Sequence, residues 1–294
     1  MRPSIYTEPI LGWYTEHARD LPWRHPDATP WGVLVSEIML QQTPVNRVLP
    51  VWTEWLARWP DPASLAASPS GEAVRAWGRL GYPRRALRLH GSAVAILDRH
   101  DGQVPESYDS LLALPGVGAY TAAAVASFAF RQRHAVLDTN VRRVLARMIS
   151  GQEYPAKAQT VAELRVAESL LPLEPSVAAR WAVAVMELGA LVCTARTPRC
   201  ADCPVLESCA WRLAGKPEYD GPPRRGQTYA GTDRQCRGRL LAVLRGASDP
   251  VDKPELDIVW ADAIQRERAL DGLVADGLVE PLDDGRYALP NILT

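Results

Sequence analysis

The chain has 294 residues, 47% hydrophobic and 23% charged, with 33 Lys and Arg against 34 Asp and Glu for a net charge of −1. This is enough apolar side chain for one large core or two ordinary ones, and it excludes a disordered or fibrous protein. The longest uncharged run, 110–130, is alanine-rich and broken by Leu114-Pro115-Gly116-Val117-Gly118, and the N-terminus carries acids and no continuous apolar segment, so neither a membrane span nor a signal peptide is expected. A cytoplasmic location follows as the expectation.

Residues 1–215 read as mostly helical. Apolar residues recur at helical spacing over 32–41, 85–99, 119–130, 138–149, 157–170 and 177–192, divided by Pro and Gly. In the first of these, Glu37 stands within the apolar run 32–43. A carboxylate there either faces a cleft or has a raised pKa, and a carboxylic acid kept protonated near neutrality is what a general acid needs. From Ala73 to His90 there are five arginines and no acid; from Arg131 to Arg147 there are five more with Asp138 as the sole acid. Such clusters either neutralise phosphates or form solvated helix faces.

Leu111 to Tyr120 joins the end of one helix to the start of another. Gly116 and Gly118 let the backbone turn tightly and approach a partner, and the next helix begins with N–H groups suited to a phosphate. A turn of this kind positions DNA through its backbone without reading sequence. Asp138 follows Ala135-Val136-Leu137 and precedes Thr139-Asn140-Val141, the place of a helix N-cap. It can cap and catalyse at once. Two carboxylates in different environments suit cleavage of a glycosidic bond through an oxocarbenium-like transition state, and a base in duplex DNA must first be flipped out to reach them.

Cys193, Cys200, Cys203 and Cys209 are spaced C-x6-C-x2-C-x5-C. Four thiolates in one loop can hold a cubane iron–sulfur cluster or a tetrahedral zinc, and a single close pair with two wider cysteines favours the cluster. Cys236 lies outside the set and reads as a packed thiol. Residues 216–233 are rich in Pro, Gly and charge and read as a linker. The tail reads as a helix over 234–246, a helix over 253–270 broken near Trp260, a further short helix, and a hairpin over Leu278–Leu282 and Arg286–Leu289. Residues 216–294 are net −3, whereas the first 215 are net +2.

Together these pieces resemble the helix–hairpin–helix DNA glycosylases with an iron–sulfur cluster, and within that superfamily the adenine DNA glycosylase (MutY) family. The resemblance covers roughly residues 8–215. It rests on Leu21-Pro22-Trp23-Arg24, Ser36 to Thr43, Gly81-Tyr82, Leu114 to Tyr120, Leu137-Asp138 with Asn140, Met186 to Ala190, and the four cysteines. It implies that Glu37 protonates adenine at N7 and that Asp138 stabilises or traps the sugar cation, with Asn140 and Tyr120 assisting. Trp23, Arg24, Leu40 and Glu187 would line the adenine pocket, and Gln42 would wedge into the space left by the base. Thr43 and Tyr82 would lie beside the opposite 8-oxoguanine, and Leu114, Gly116, Val117 and Gly118 would hold the DNA backbone. The four cysteines would carry a [4Fe–4S] cluster that orders a loop whose Arg196 and Arg199 meet phosphate. Bifunctional relatives have lysine where Tyr120 stands; tyrosine cannot form a Schiff base, so base removal without efficient strand cleavage is expected.

The chain departs from the family pattern at Thr139, at Pro83 and at Ala182-Val183. The largest departure is the tail. Well-studied members carry a MutT-like domain that reads 8-oxoguanine through a Phe-Ser-His type loop, whereas here the last histidine is His134 and the last phenylalanine Phe130. Recognition of 8-oxoguanine is then weaker, or made by the core, or made by the tail in another way.

The expected fold is mostly α and two-lobed. A helical bundle over about 25–134 carries Glu37 and the hairpin, residues 1–24 and 135–215 form the cluster lobe, and DNA lies between the lobes. A small winged-helix-like domain at 234–294 follows the linker. The expected activity is hydrolytic release of adenine mispaired with 8-oxoguanine or guanine in double-stranded DNA, by a monomer whose tail has a protein partner as an alternative to DNA. The rivals are a thymine or uracil mismatch glycosylase of the same fold, and a catalytically inactive DNA-binding protein.

Overall fold

The structure, a computed structural model, describes residues 4–221 and 229–291. In chain order the helices are α1 (Ser4–His17), α2 (Pro30–Leu40), α3 (Val45–Arg58), α4 (Pro62–Ala66), α5 (Ser70–Ala76), α6 (Arg84–Arg99), α7 (Tyr108–Leu112) and α8 (Ala119–Phe128). They continue as α9 (Thr139–Met148), α10 (Val161–Leu170), α11 (Pro175–Leu191), α12 (Ala210–Leu213), α13 (Asp233–Gly246), α14 (Lys253–Asp257) and α15 (Ala263–Ala275). A two-stranded antiparallel sheet, β1 (Glu280–Pro281) and β2 (Tyr287–Ala288), ends the described chain. The fold class is mostly α, as expected. No helix among the described residues is long and apolar enough to cross a membrane.

Side-chain caps explain several boundaries. Asp61 and Ser64 form a capping box on α4, Thr160 and Glu163 form one on α10, and Glu174 accepts from Ser176 and Val177 N–H at the start of α11, behind Pro175. Each satisfies backbone donors that a helix start leaves open. The expected break near Trp260 separates α14 from α15, whose start is capped by Asp262. The further short helix expected in the tail does not form: α15 runs to Ala275 and the hairpin follows directly.

The chain divides into two compact units. One comprises Met1–Val33, Glu106–Leu112 and Val117–Pro223. Its core gathers Ile10, Trp13, Val141, Leu145, Trp181, Val185 and Leu188 from α1, α9 and α11. The other comprises Leu34–Pro105, Ala113–Gly116 and Arg224–Thr294, so that the tail shares a unit with the bundle helices α3 to α6. Three of the chain's many tryptophans centre this bundle. Trp55 meets Trp59 and Trp77 edge-on, with ring centroids 4.7 and 5.8 Å apart, a favoured aromatic geometry with a large buried area. In the tail, α13 packs on α15, and Leu240, Leu241 and Leu244 of α13, Leu256 of α14, and Leu270 and Leu273 of α15 are buried. Val251 pairs with Tyr287 beside the β1–β2 hairpin. Residues 222–228 of the expected linker lie outside the described residues.

Candidate active site and its arginine supports

In the first unit, the turn Pro22–Arg24 carries Trp23, which is buried, and Arg24. Opposite, α11 presents Glu187, which is wholly buried. Arg24 Nη2 donates to Glu187 Oε2 at 2.9 Å. Arg19, which the motifs did not single out, donates from Nε and Nη2 to the two carboxylate oxygens at 2.7 Å each, and from its backbone N–H at 3.0 Å. Burial would push the Glu187 carboxyl up, but the hydrogen bonds from Arg19 and Arg24 outweigh it and hold it at about 2. Arg24 Nη1 is buried with no hydrogen-bond partner among the described residues, which leaves a donor for a ligand. Arg24 and Glu187 are thus one assembly, clamped by Arg19, with Trp23 on the same turn as Arg24.

Asp138 is the N-cap of α9, and its Oδ1 accepts from Val141 N–H at 2.6 Å. Its other oxygen accepts from Asn140 Nδ2 at 2.8 Å. Burial is the largest influence and raises its pKa, against the pull of these bonds and of Arg143. Arg143 in turn donates to Asn140 Oδ1 at 2.8 Å, to the Gly189 carbonyl at 2.7 Å and to the Cys193 carbonyl at 2.8 Å. Gly189 is required where α11 meets α9, because a Cβ there would lie 2.8 Å from Asn140 Cβ. Tyr120 lies half-buried on α8 and packs against the small core of Ala123, Ala124, Val136 and Ala182.

The four cysteines lie on the loop that follows α11, all part-exposed. The Cys203 thiol is pushed up to about 11, by burial first and then by the nearby Cys193, Cys209 and Cys200, so the four sulfurs form one neighbourhood. Among the described residues no three His, Cys, Asp or Glu side chains are set to hold a single metal ion. Four converging thiols suit a larger iron–sulfur group. Arg147 reinforces the fit: it is buried, donates to Cys193 Sγ at 3.5 Å, and lies against Trp211 and Tyr154. Of the two basic residues expected to meet phosphate, Arg196 is exposed, whereas Arg199 donates to the Leu191 carbonyl at 2.6 Å.

In the second unit, α2 carries Glu37, which is 4% exposed, and ends at Leu40. Gln42 follows, exposed and in the left-handed backbone region at φ 56°. Arg85 anchors this end of α2. Its Nη1 donates to the carbonyls of Ile38, Met39 and Gln41 at 2.8, 2.9 and 2.5 Å, and its Nη2 to Thr43 Oγ1 at 2.9 Å. A buried cation at a helix C-terminus answers the unpaired carbonyls and the dipole together. Burial lowers the Arg85 pKa to about 10, which leaves it protonated at neutrality. Tyr82, exposed and at φ 48°, follows a turn whose carbonyls are held one by one. The Leu80 carbonyl accepts from Thr43 Oγ1, and the Gly81 carbonyl from Trp77 Nε1 and Arg85 Nη2.

The hairpin is split between the units. Leu114 is buried, Ser92 Oγ donates to the Pro115 carbonyl at 2.5 Å, and Gly116 turns at φ 79° with Arg88 packed where a Cβ would stand. Val117 is buried, and Gly118 caps α8 without a side chain. The two arginine clusters therefore have a use other than the two expected. Arg75, Arg85, Arg142, Arg143 and Arg147 bind backbone carbonyls, while Arg79, Arg88 and Arg131 remain exposed.

A profile of the HhH-GPD superfamily base excision DNA repair proteins matches residues 35–168. The adenine DNA glycosylase of Mycobacterium tuberculosis (strain H37Rv) is 55% identical over 282 residues, covering 96% of this chain and 92% of that protein. That of Mycolicibacterium smegmatis is 53% identical over 97% of this chain and 96% of its own length, and that of Homo sapiens 39% identical over 75% and 44%. Among solved structures, a thermostable thymine-DNA glycosylase matches with a TM-score of 0.66 at 27% identity, over 72% of this chain and 97% of its own. Endonuclease III in a non-covalent complex with DNA matches with a TM-score of 0.61 over 73% and 98%; at 22% identity that likeness speaks for the fold alone. The chain belongs to the adenine DNA glycosylase family of the helix–hairpin–helix superfamily.

Proposed function

We propose that this enzyme hydrolyses the N-glycosidic bond of adenine mispaired with 8-oxoguanine or guanine in duplex DNA. The observation that carries the reading is Asp138: a half-buried carboxylate fixed on both oxygens, in a chain 55% identical to an adenine DNA glycosylase. Glu37 gives its proton to adenine N7, so the C1′–N9 bond breaks with its electron pair leaving on the base. Asp138, oriented by Val141 and Asn140, faces the positive charge that develops on the sugar. Water adds to C1′, and its proton goes to the carboxylate that Glu37 has become.

Trp23 and Leu40 supply apolar walls for the flipped base, and Arg24 with Glu187 supplies donors and acceptors for its edge. Gln42, already in a left-handed turn, fills the gap in the stack. Thr43 and Tyr82 lie on the side of the opposite base, and Leu114 to Gly118 hold the DNA backbone. Tyr120 lines the sugar site without an amine, so the strand stays intact. Cys193, Cys200, Cys203 and Cys209 would hold a [4Fe–4S] cluster, which when bound cross-links the loop after α11. Arg143 ties that loop, through the Cys193 carbonyl, to Asn140.

Single-turnover base release tests this on duplexes with A opposite 8-oxoguanine, A opposite G, A opposite C, and T opposite G. Adenine release that is fastest opposite 8-oxoguanine and collapses in Glu37→Gln and Asp138→Asn is the expected result. Faster release of thymine would assign the chain to thymine excision instead, and no release from any duplex would make it a DNA-binding protein.

A further inference from the structure

The excision chemistry gives the tail no task, yet the tail is built into the bundle by a reciprocal arginine clasp. Arg245, in the last turn of α13, donates from Nε to the Val74 carbonyl at 2.9 Å and from Nη1 to the Gly78 carbonyl at 2.5 Å. Arg75, in the last turn of α5, donates to the carbonyls of Arg245, Leu244 and Ala247, the last at 2.8 Å. Each guanidinium thus caps the other's helix, satisfying carbonyls that a helix end leaves open and placing a cation at the negative end of the dipole. At the opposite end of α5, the Gly71 N–H donates to the Pro290 carbonyl at 2.7 Å, and a Cβ on Gly71 would collide with that carbonyl and with Leu289. Arg84, two residues after Tyr82, pairs with Asp276 at 3.2 Å.

The clasp reaches the turn that presents Tyr82. Gly78, Gly81 and Tyr82 all lie in the left-handed region, at φ 52°, 83° and 48°. Four successive carbonyls in the turn are held from four directions. Gly78 is held by Arg245 of the tail, Arg79 by Arg47 of α3, Leu80 by Thr43, and Gly81 by Trp77 and Arg85. The tail therefore supplies one of the supports of a strained turn. Residues 216–294 are also net −3, which opposes a phosphate-binding role for this segment.

We propose that α13 is a positioning element for Tyr82: through Arg245 it fixes the turn that sets this ring beside the base opposite adenine, so that the C-terminal unit tunes the preference for that base without contacting DNA. The proposal rests on the adenine-excision reading. Arg245 is a positioning residue: it holds the Val74 carbonyl of α5 and reaches the turn through the Gly78 carbonyl.

The test uses the full chain with Arg245→Ala, Arg245→Lys and Gly71→Ala. The last leaves both arginines in place, suits a helix at least as well as glycine, and strikes only the 289–290 segment of the tail. Hydrogen exchange at 78–82 reports the turn, and single-turnover release from A opposite 8-oxoguanine and A opposite G reports preference. In Arg245→Ala the turn amides exchange faster and the preference for 8-oxoguanine falls about three- to tenfold, while release opposite G stays within about twofold of wild type; Gly71→Ala, which leaves the arginine clasp in place, keeps the wild-type turn and preference. Arg245→Lys, which keeps one donor near the carbonyls, recovers part of the preference. An unchanged preference once the turn is loosened would overturn the proposal, as would equal loss on both duplexes or a turn indifferent to Arg245→Ala. A wild type that releases adenine equally from both duplexes would sink this proposal and leave adenine excision standing. One that releases no adenine at all would sink the excision reading itself.

Discussion

Asp138 caps α9 and, on the proposed reading, faces the sugar cation with the same carboxylate. Asparagine is as good an N-cap as aspartate and can still accept from Val141, but it carries no charge to stabilise a sugar cation. Because burial raises the Asp138 pKa, its ionised form burdens the fold at neutral pH, and that burden lifts as pH falls through the raised value. Asp138→Asn also sets an NH2 against the Asn140 Nδ2 donor, which offsets the relief of the buried charge, so it should lower single-turnover release by at least about a thousandfold while leaving Tm within about 2–4 °C of wild type, a pairing that release assays and calorimetry can check on one sample. Glu187 has the opposite sign. Its pKa is held at about 2, below the ordinary 4.5, so its pairing with Arg19 and Arg24 stabilises the fold above pH 4.5 and is lost as pH falls from there toward 2. In Glu187→Gln the two arginines lose their counter-charge. The expected loss is about 3–5 kcal/mol in urea unfolding at pH 7, shrinking as the titration is repeated toward pH 2.

At the scale of elements, close approach sets the geometry where α11 crosses α9. Gly189→Ala would push a methyl into Asn140, the residue that orients Asp138. The fold should lose about 1–3 kcal/mol, and base release should fall further than stability does, read by comparing residual rate with fraction folded. The elements themselves were legible because Pro, Gly and capping side chains mark their ends. The expected helix over 85–99 forms as Arg84–Arg99, and 177–192 as Pro175–Leu191. Glu37 and the four cysteines stand out in the sequence as candidates for a related reason, being polar or reactive types in settings that would otherwise exclude them. The arginine supports were not. Arg19 meets Glu187 across 168 residues and Arg143 meets Cys193 across 50, and a guanidinium that binds backbone carbonyls needs no particular residue as partner. Arginine-rich stretches therefore read as candidate phosphate contacts until the fold shows which of them point inward.

At the scale of the molecule, the tail's place in the bundle unit was the least legible feature. Composition marks a linker, and a linker suggests a separate domain, whereas the clasp between α5 and α13 depends on two arginines with nothing local to announce them. Amides of α13 and α15 should consequently exchange on the timescale of α3 and α6 rather than opening independently, a comparison native-state hydrogen exchange makes directly. The bundle turn that this clasp supports has a thermodynamic consequence of its own. Its carbonyls are already satisfied and its left-handed residues already set, so meeting DNA requires no ordering of that segment. On the proposed reading, the entropy of binding at this edge of the protein then belongs to released counterions and water, and Tyr82 would meet the base opposite adenine already in place.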